Sequence, residues 1–143
     1  MKDTPMDLSS IINAQCSNLR LVAGGTLILY FNPDNPDSRH NTLWIDCAWR
    51  LRKHKSVLIG SLDEPNSILA AIQQIVGHTV TDIDFVDDTW DARIMFNCDM
   101  WIETFGYSVV DGHWEYRRND GYRCGVGPQF ELYEKYDSKE VTE

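Results

Sequence analysis

One stretch of this chain, residues 65–76, is marked as a helix at both ends, while residues 18–60 and 79–127 read as strands and turns. Pro65 stands in the first turn, Asp63 and Glu64 lie at its positive end, and Gly77 follows the last turn. Ile68, Leu69, Ile72, Ile75 and Val76 share one face at helical spacing, opposite Asn66, Ala70, Gln73 and Gln74. Such a helix needs an apolar surface to lie on, and the flanking strands supply it. The expected class is therefore α+β, mainly antiparallel β, with this amphipathic helix joining two similar meanders in a curved sheet or two half-barrels.

In the first half, residues 18–22 alternate, Ala23-Gly24-Gly25 supplies a turn, and residues 26–31 are β-branched and aromatic, which together predict a hairpin. Residues 32–41 are dense in Pro, Asn and Asp and read as an exposed loop. Strands return at residues 43–51 and 56–60, joined by the basic turn Arg52-Lys53-His54-Lys55. In the second half, residues 79–86, 91–97, 100–105, 113–118 and 122–126 are predicted strands. Alternation puts Ile83 and Phe85 on one face with Asp82 and Asp84 opposite, and turns Ile94 and Phe96 away from Arg93 and Met95. A short helix over residues 7–17, capped by Asp7, and a segment 128–143 that ends in Tyr133-Glu134-Lys135-Tyr136 and a fraying polar tail complete the expectation.

Phe31-Asn32 followed by Trp44-Ile45-Asp46 recurs as Phe96-Asn97 followed by Trp101-Ile102-Glu103. A strand precedes each copy, residues 19–22 and 83–86; a Trp segment follows each, at Trp49-Arg50 and Trp114-Glu115; and each closes on an apolar residue and glycine, Ile59-Gly60 and Cys124-Gly125. One matched pair falls short of the three units that define a repeat array, but it is what two related meanders would leave in a sequence. A length of 143 residues suits one domain spanning 1–143, with a first meander at 18–60, the helix at 65–76 and a second meander at 79–127.

Charge narrows the function. A formal net charge of −9 disfavours direct nucleic-acid binding, which needs clustered cations, and suits docking onto a basic protein. Cys16, Cys47, Cys98 and Cys124 are too widely spaced for a metal knuckle and read as thiols of a reducing cytoplasm; no segment resembles a signal peptide or a membrane span. His40, His54, His78 and His113 have no ligand spacing, so neither a metal nor another cofactor is expected. Phosphate-loop and nucleophile-elbow motifs are likewise missing, so no catalytic residue is assigned. The pair His113 and Glu115 could serve a hydrolytic enzyme, and a small-ligand-binding β domain is a further alternative.

The strongest local signal is the acidic stretch 82–91. Asp82, Asp84, Asp87, Asp88 and Asp91 surround Trp90, whose place among charges at a hairpin tip is that of an interface anchor. The basic run Arg50, Arg52, Lys53, His54 and Lys55 could bind an anion, pair with that hairpin, or simply be solvated.

The order of these motifs, LWIDCAWRL at 43–51, a strand ending in Gly60-Ser61, the helix ending in Gly77-His78-Thr79-Val80, the acidic strand pair and His113-Trp114-Glu115-Tyr116-Arg117, resembles small single-domain bacterial proteins encoded singly or beside polymorphic toxin genes. Some of these are immunity proteins of contact-dependent growth inhibition systems. The resemblance spans about residues 18–127 and rests on packing residues, so it transfers no catalytic positions. It implies a cytoplasmic protein that neutralises a cognate toxin C-terminal domain, a basic nuclease, with an RNase preferred over a DNase. The acidic residues would block its active-site cleft.

Overall fold

The computed structural model describes residues 6–22, 25–31, 41–86, 89–106 and 112–136. Among these described residues eleven strands form two antiparallel sheets. The first half supplies β1 (Cys16–Leu21), β2 (Leu27–Phe31), β3 (Asn41–Ile45), β4 (Ala48–Lys53) and β5 (Ser56–Gly60), followed by α1 (Pro65–Ile72). The second supplies β6 (Val80–Val86), β7 (Asp91–Phe96), β8 (Met100–Phe105), β9 (Trp114–Arg117), β10 (Tyr122–Val126) and β11 (Leu132–Tyr136).

The expected class, α+β and mainly antiparallel, is what the chain adopts, but neither half closes on itself as a half-barrel. One sheet has the order β1-β2-β3-β9-β10-β11, the other β5-β4-β8-β7-β6. The first half gives three strands to one sheet and a hairpin to the other; the second half does the same with the sheets exchanged and adds β11 beyond its hairpin. The crossing points touch: the amides of Asp46 and Cys47, between β3 and β4, both donate to the carbonyl of His113, just before β9. The starts of β1 and β6 also meet, through Gly77 to Cys16, Cys16 to His78 and Val80 to Ala14.

The recurrent sequence pattern maps strand for strand onto this arrangement. Leu19 pairs with Leu29 as Ile83 pairs with Ile94. Arg50 pairs with Gly60 as Glu115 pairs with Gly125. Trp49 and Trp114 hold matching buried positions. Among the described residues β11 has no counterpart in the first half; residues 132–136, for which the sequence predicts no strand, form one because Tyr133 and Leu132 can cover the edge of β10.

Alternating residues of both sheets enter a single core, including Leu27, Leu29, Phe31, Leu43 and Ile45 from one and Trp49, Leu51, Ile94, Phe96 and Ile102 from the other. Helix α1 begins as its sequence requires, with Pro65 in the first turn and the Glu64 carboxylate accepting from the amides of Asn66 and Ser67. It is shorter than expected: after Ile72 the backbone tightens into a 3-10 turn over Gln73–Ile75, and Gly77, at φ +92°, ends it. Ile68, Ile72 and Ile75 are buried, whereas Leu69 remains 38% exposed.

No helix forms at residues 7–17. Asp7 caps only a local turn through the amide and hydroxyl of Ser9, and the backbone continues through single turns that bury Ile11 before Cys16 enters β1. The competing hydrogen bonds of Asp7, Ser9, Ser10 and Asn13 favour turns over a helix this short. No helix among the described residues is long and apolar enough to cross a membrane.

Candidate functional site

The outer face of the five-stranded sheet carries the residues with chemistry to spare. Cross-strand register sets Arg52, Trp101, Met95 and Asp82 in one row, and Arg50, Glu103, Arg93 and Asp84 in the next. Glu103 is the fixed point. Its carboxylate accepts from Arg50 Nε at 2.7 Å and Trp101 Nε1 at 3.0 Å, with Arg52 Nη1 at 3.4 Å. Burial pushes its pKa up, but these donors and charges outweigh that and hold it below the ordinary glutamate value. Arg52 also lies over the Trp101 ring at 5.6 Å from its centroid, and Arg50 over Phe105 at 4.7 Å. The basic run at 50–55 is thus divided: its two arginines serve this face, Lys53 ends β4, and only His54 and Lys55 form the exposed turn expected over residues 52–55.

Asp82 and Asp84 lie half-exposed at the sheet edge on β6, and neither has an ion pair among the described residues. The Asp82 carboxylate accepts from the amide of Ile83 at 2.9 Å, occupying one backbone donor of this edge strand. Asp87 and Asp88 lie outside the described residues. Trp90 is not the exposed anchor that its acidic neighbours suggested. It is half-buried, with its ring edge-on to Phe85 at 5.6 Å, and its carbonyl accepts from Trp114 Nε1 at 3.1 Å. Burial of an aromatic face outweighs the polarity of the flanking sequence. Asp91 is turned to the fold as well: it accepts from the amide of Gly106 at 2.7 Å.

The structure does not bring His113 and Glu115 into one site. His113 is 1% exposed, packed against Phe130 at 4.8 Å and against the backbone of Gly106. Glu115 faces the other side, on the outer face of the six-stranded sheet, where it bonds Arg117 and the hydroxyl of Tyr133. Burial raises its pKa, yet the Tyr133 and Arg117 hydrogen bonds overcome this and leave it a weakened base. Among the described residues no group of three or more His, Cys, Asp or Glu could hold a metal ion. All four cysteines are free thiols, with Cys16 and Cys124 buried.

The described residues carry thirteen Asp and Glu against ten Lys and Arg, which is −3 of the total −9. Most of the excess acidity therefore lies outside the described residues, and Asp82 and Asp84, without an ion pair, stand among described charges that nearly balance. Sequence reasoning passed over Arg93, Trp101 and Glu103. Aligning the two halves would have found Arg93, because its counterpart, 65 positions earlier by the spacing of Phe31 and Phe96, is Ile28. Searches of protein-family models, curated proteins and solved structures found no significant match to this chain.

Proposed function

We propose that this chain is a cytoplasmic binding protein of the immunity type, which neutralises a cognate basic toxin domain by laying carboxylates of the β6 edge into its active-site cleft. One observation carries the reading. Asp82 and Asp84 occupy positions that the matching strand β1 fills with Asn18 and Arg20, and both are left without an ion pair among the described residues. The shared pattern accounts for the fold with or without those charges, so the carboxylates serve something other than folding. Unpaired acids on a sheet edge attract a cationic cleft by long-range steering, and their desolvation against bound cations slows release. A nuclease cleft, lined with cations for phosphates, has the complementary chemistry, and an RNase domain remains preferred over a DNase.

Asp82→Lys/Asp84→Lys tests this, with affinity for a basic toxin domain, sought among the products of neighbouring genes, measured by calorimetry at two salt concentrations. The expected result is a loss of about a hundredfold or more and a weaker salt dependence. Unchanged affinity in a variant with unchanged thermal unfolding would overturn the assignment.

A further inference from the structure

Beside the edge carboxylates, a groove of about 380 Å³ opens on the same sheet face, lined by His54, Thr81, Arg93, Met95, Asp99 and Trp101 among others. Arg93 is its distinctive member. It stands in register between Glu103 and Asp84, close enough for an arginine to reach either. Yet it forms an ion pair with neither, and its Nε is shielded from solvent without donating a hydrogen bond. Glu103 is already satisfied by Arg50, Arg52 and Trp101, which removes its claim on Arg93. A guanidinium that no carboxylate holds, on an interior strand and lining a groove, is a ready anion receptor.

The surroundings select the anion. Asp82, Asp84 and Asp99 lie around the groove, so a dianion such as a phosphomonoester meets more repulsion than a single carboxylate does. Met95 and Trp101 supply apolar walls suited to a flat ring, and Trp101 is held in place by its bond to Glu103 and by Arg52 over its face. We propose that this groove binds a small aromatic monocarboxylate, its carboxylate forked onto Arg93 and its ring against Trp101 and Met95. This site is independent of the toxin-binding reading and stands or falls on its own measurements.

Indole-3-acetate and its uncharged counterpart indole-3-acetamide are the probes, titrated into the full chain by calorimetry and by amide NMR shifts. The acid is expected to bind at least about tenfold more tightly than the amide, with shifts confined to β7, β8 and the His54 turn. Arg93→Gln should remove that discrimination, Arg93→Lys should keep part of it, and Trp101→Leu should weaken both probes alike. Arg20→Gln, on the other sheet, should change nothing. The site is overturned if acid and amide bind equally, if Arg93→Gln binds the acid as the parent does while unfolding at the same temperature, or if 20 mM acid shifts no groove resonance.

Discussion

The outer faces of the two sheets are built to one plan and finished differently. On the six-stranded sheet, Arg117 lies over Trp44 at 4.0 Å; on the five-stranded sheet, Arg52 lies over Trp101 at 5.6 Å. Each stack is steadied by a glutamate, Glu115 in one and Glu103 in the other. Beyond that the faces part. The first sheet adds β11, whose Tyr133 reaches across Gly125 to Glu115 and closes the surface. Among the described residues the second has no such strand beyond β5, the match of β10, and where the first places Asn18, Arg20 and Ile28, it places Asp82, Asp84 and Arg93. What the two faces share packs the same way in both sheets; where they differ lie the residues proposed to bind.

The sharpest way to break this equivalence is at its matched glycines. A Cβ on Gly125 would lie 2.1 Å from the Trp114 carbonyl oxygen and 2.9 Å from Glu115 Cα, whereas on Gly60 it would meet the Trp49 carbonyl oxygen at an ordinary 3.5 Å. Gly125→Ala should therefore cost about 3 kcal/mol or more in denaturant unfolding, and Gly60→Ala within about 1 kcal/mol. Equal losses would show that β9 and β10 do not approach as closely as described.

The matched tryptophans give a smaller contrast. Trp49 and Trp114 are almost equally buried, but Trp114 Nε1 donates to Trp90 and Trp49 Nε1 has no partner. Substituting each by Phe removes similar volume, so the difference isolates the hydrogen bond. Trp114→Phe should be the more destabilising by about 1 kcal/mol.

The smallest effect is that of pH. Glu103 and Glu115 are both held below the usual glutamate value, so each adds stability above the unfolded carboxylate range, near pH 4.3, that is lost as pH falls through the folded value. Glu103→Gln and Glu115→Gln should each flatten the fall in Tm between pH 6 and pH 3 by on the order of a few degrees. The buried thiols act at the other end. Burial pushes Cys16 and Cys124 up to about 12, so the stability they add is present below pH 8.5 and is lost as pH rises toward 12. Cys16→Ala should remove part of that alkaline loss in thermal melts at pH 8 and pH 10.

Much of this fold was legible because period-two alternation and helix caps are local. The faces of Ile83, Phe85, Ile94 and Phe96 and the bounds of β8 and β10 follow from the residues themselves. The exchange of hairpins between halves is not local: it depends on Thr42 meeting Arg117 and Lys53 meeting Met100, which no short window encodes. The site was less legible for a related reason. Asp82 and Asp84 could be seen as exposed acids, but the burial of Trp90 depends on Phe85 and Trp114, and the isolation of Arg93 depends on how Glu103 is spent.

The exchanged hairpins also govern how the chain reaches its native state. Each sheet is joined at its middle by a ladder between residues roughly fifty to seventy-five positions apart, so neither half can finish a sheet before the other exists. Folding should be slow for a chain of this size, and unfolding a single cooperative event with no stable half-molecule on the way. Expressed alone, either half would expose one side of β3 and β4, or of β8 and β9, to any strand that met it.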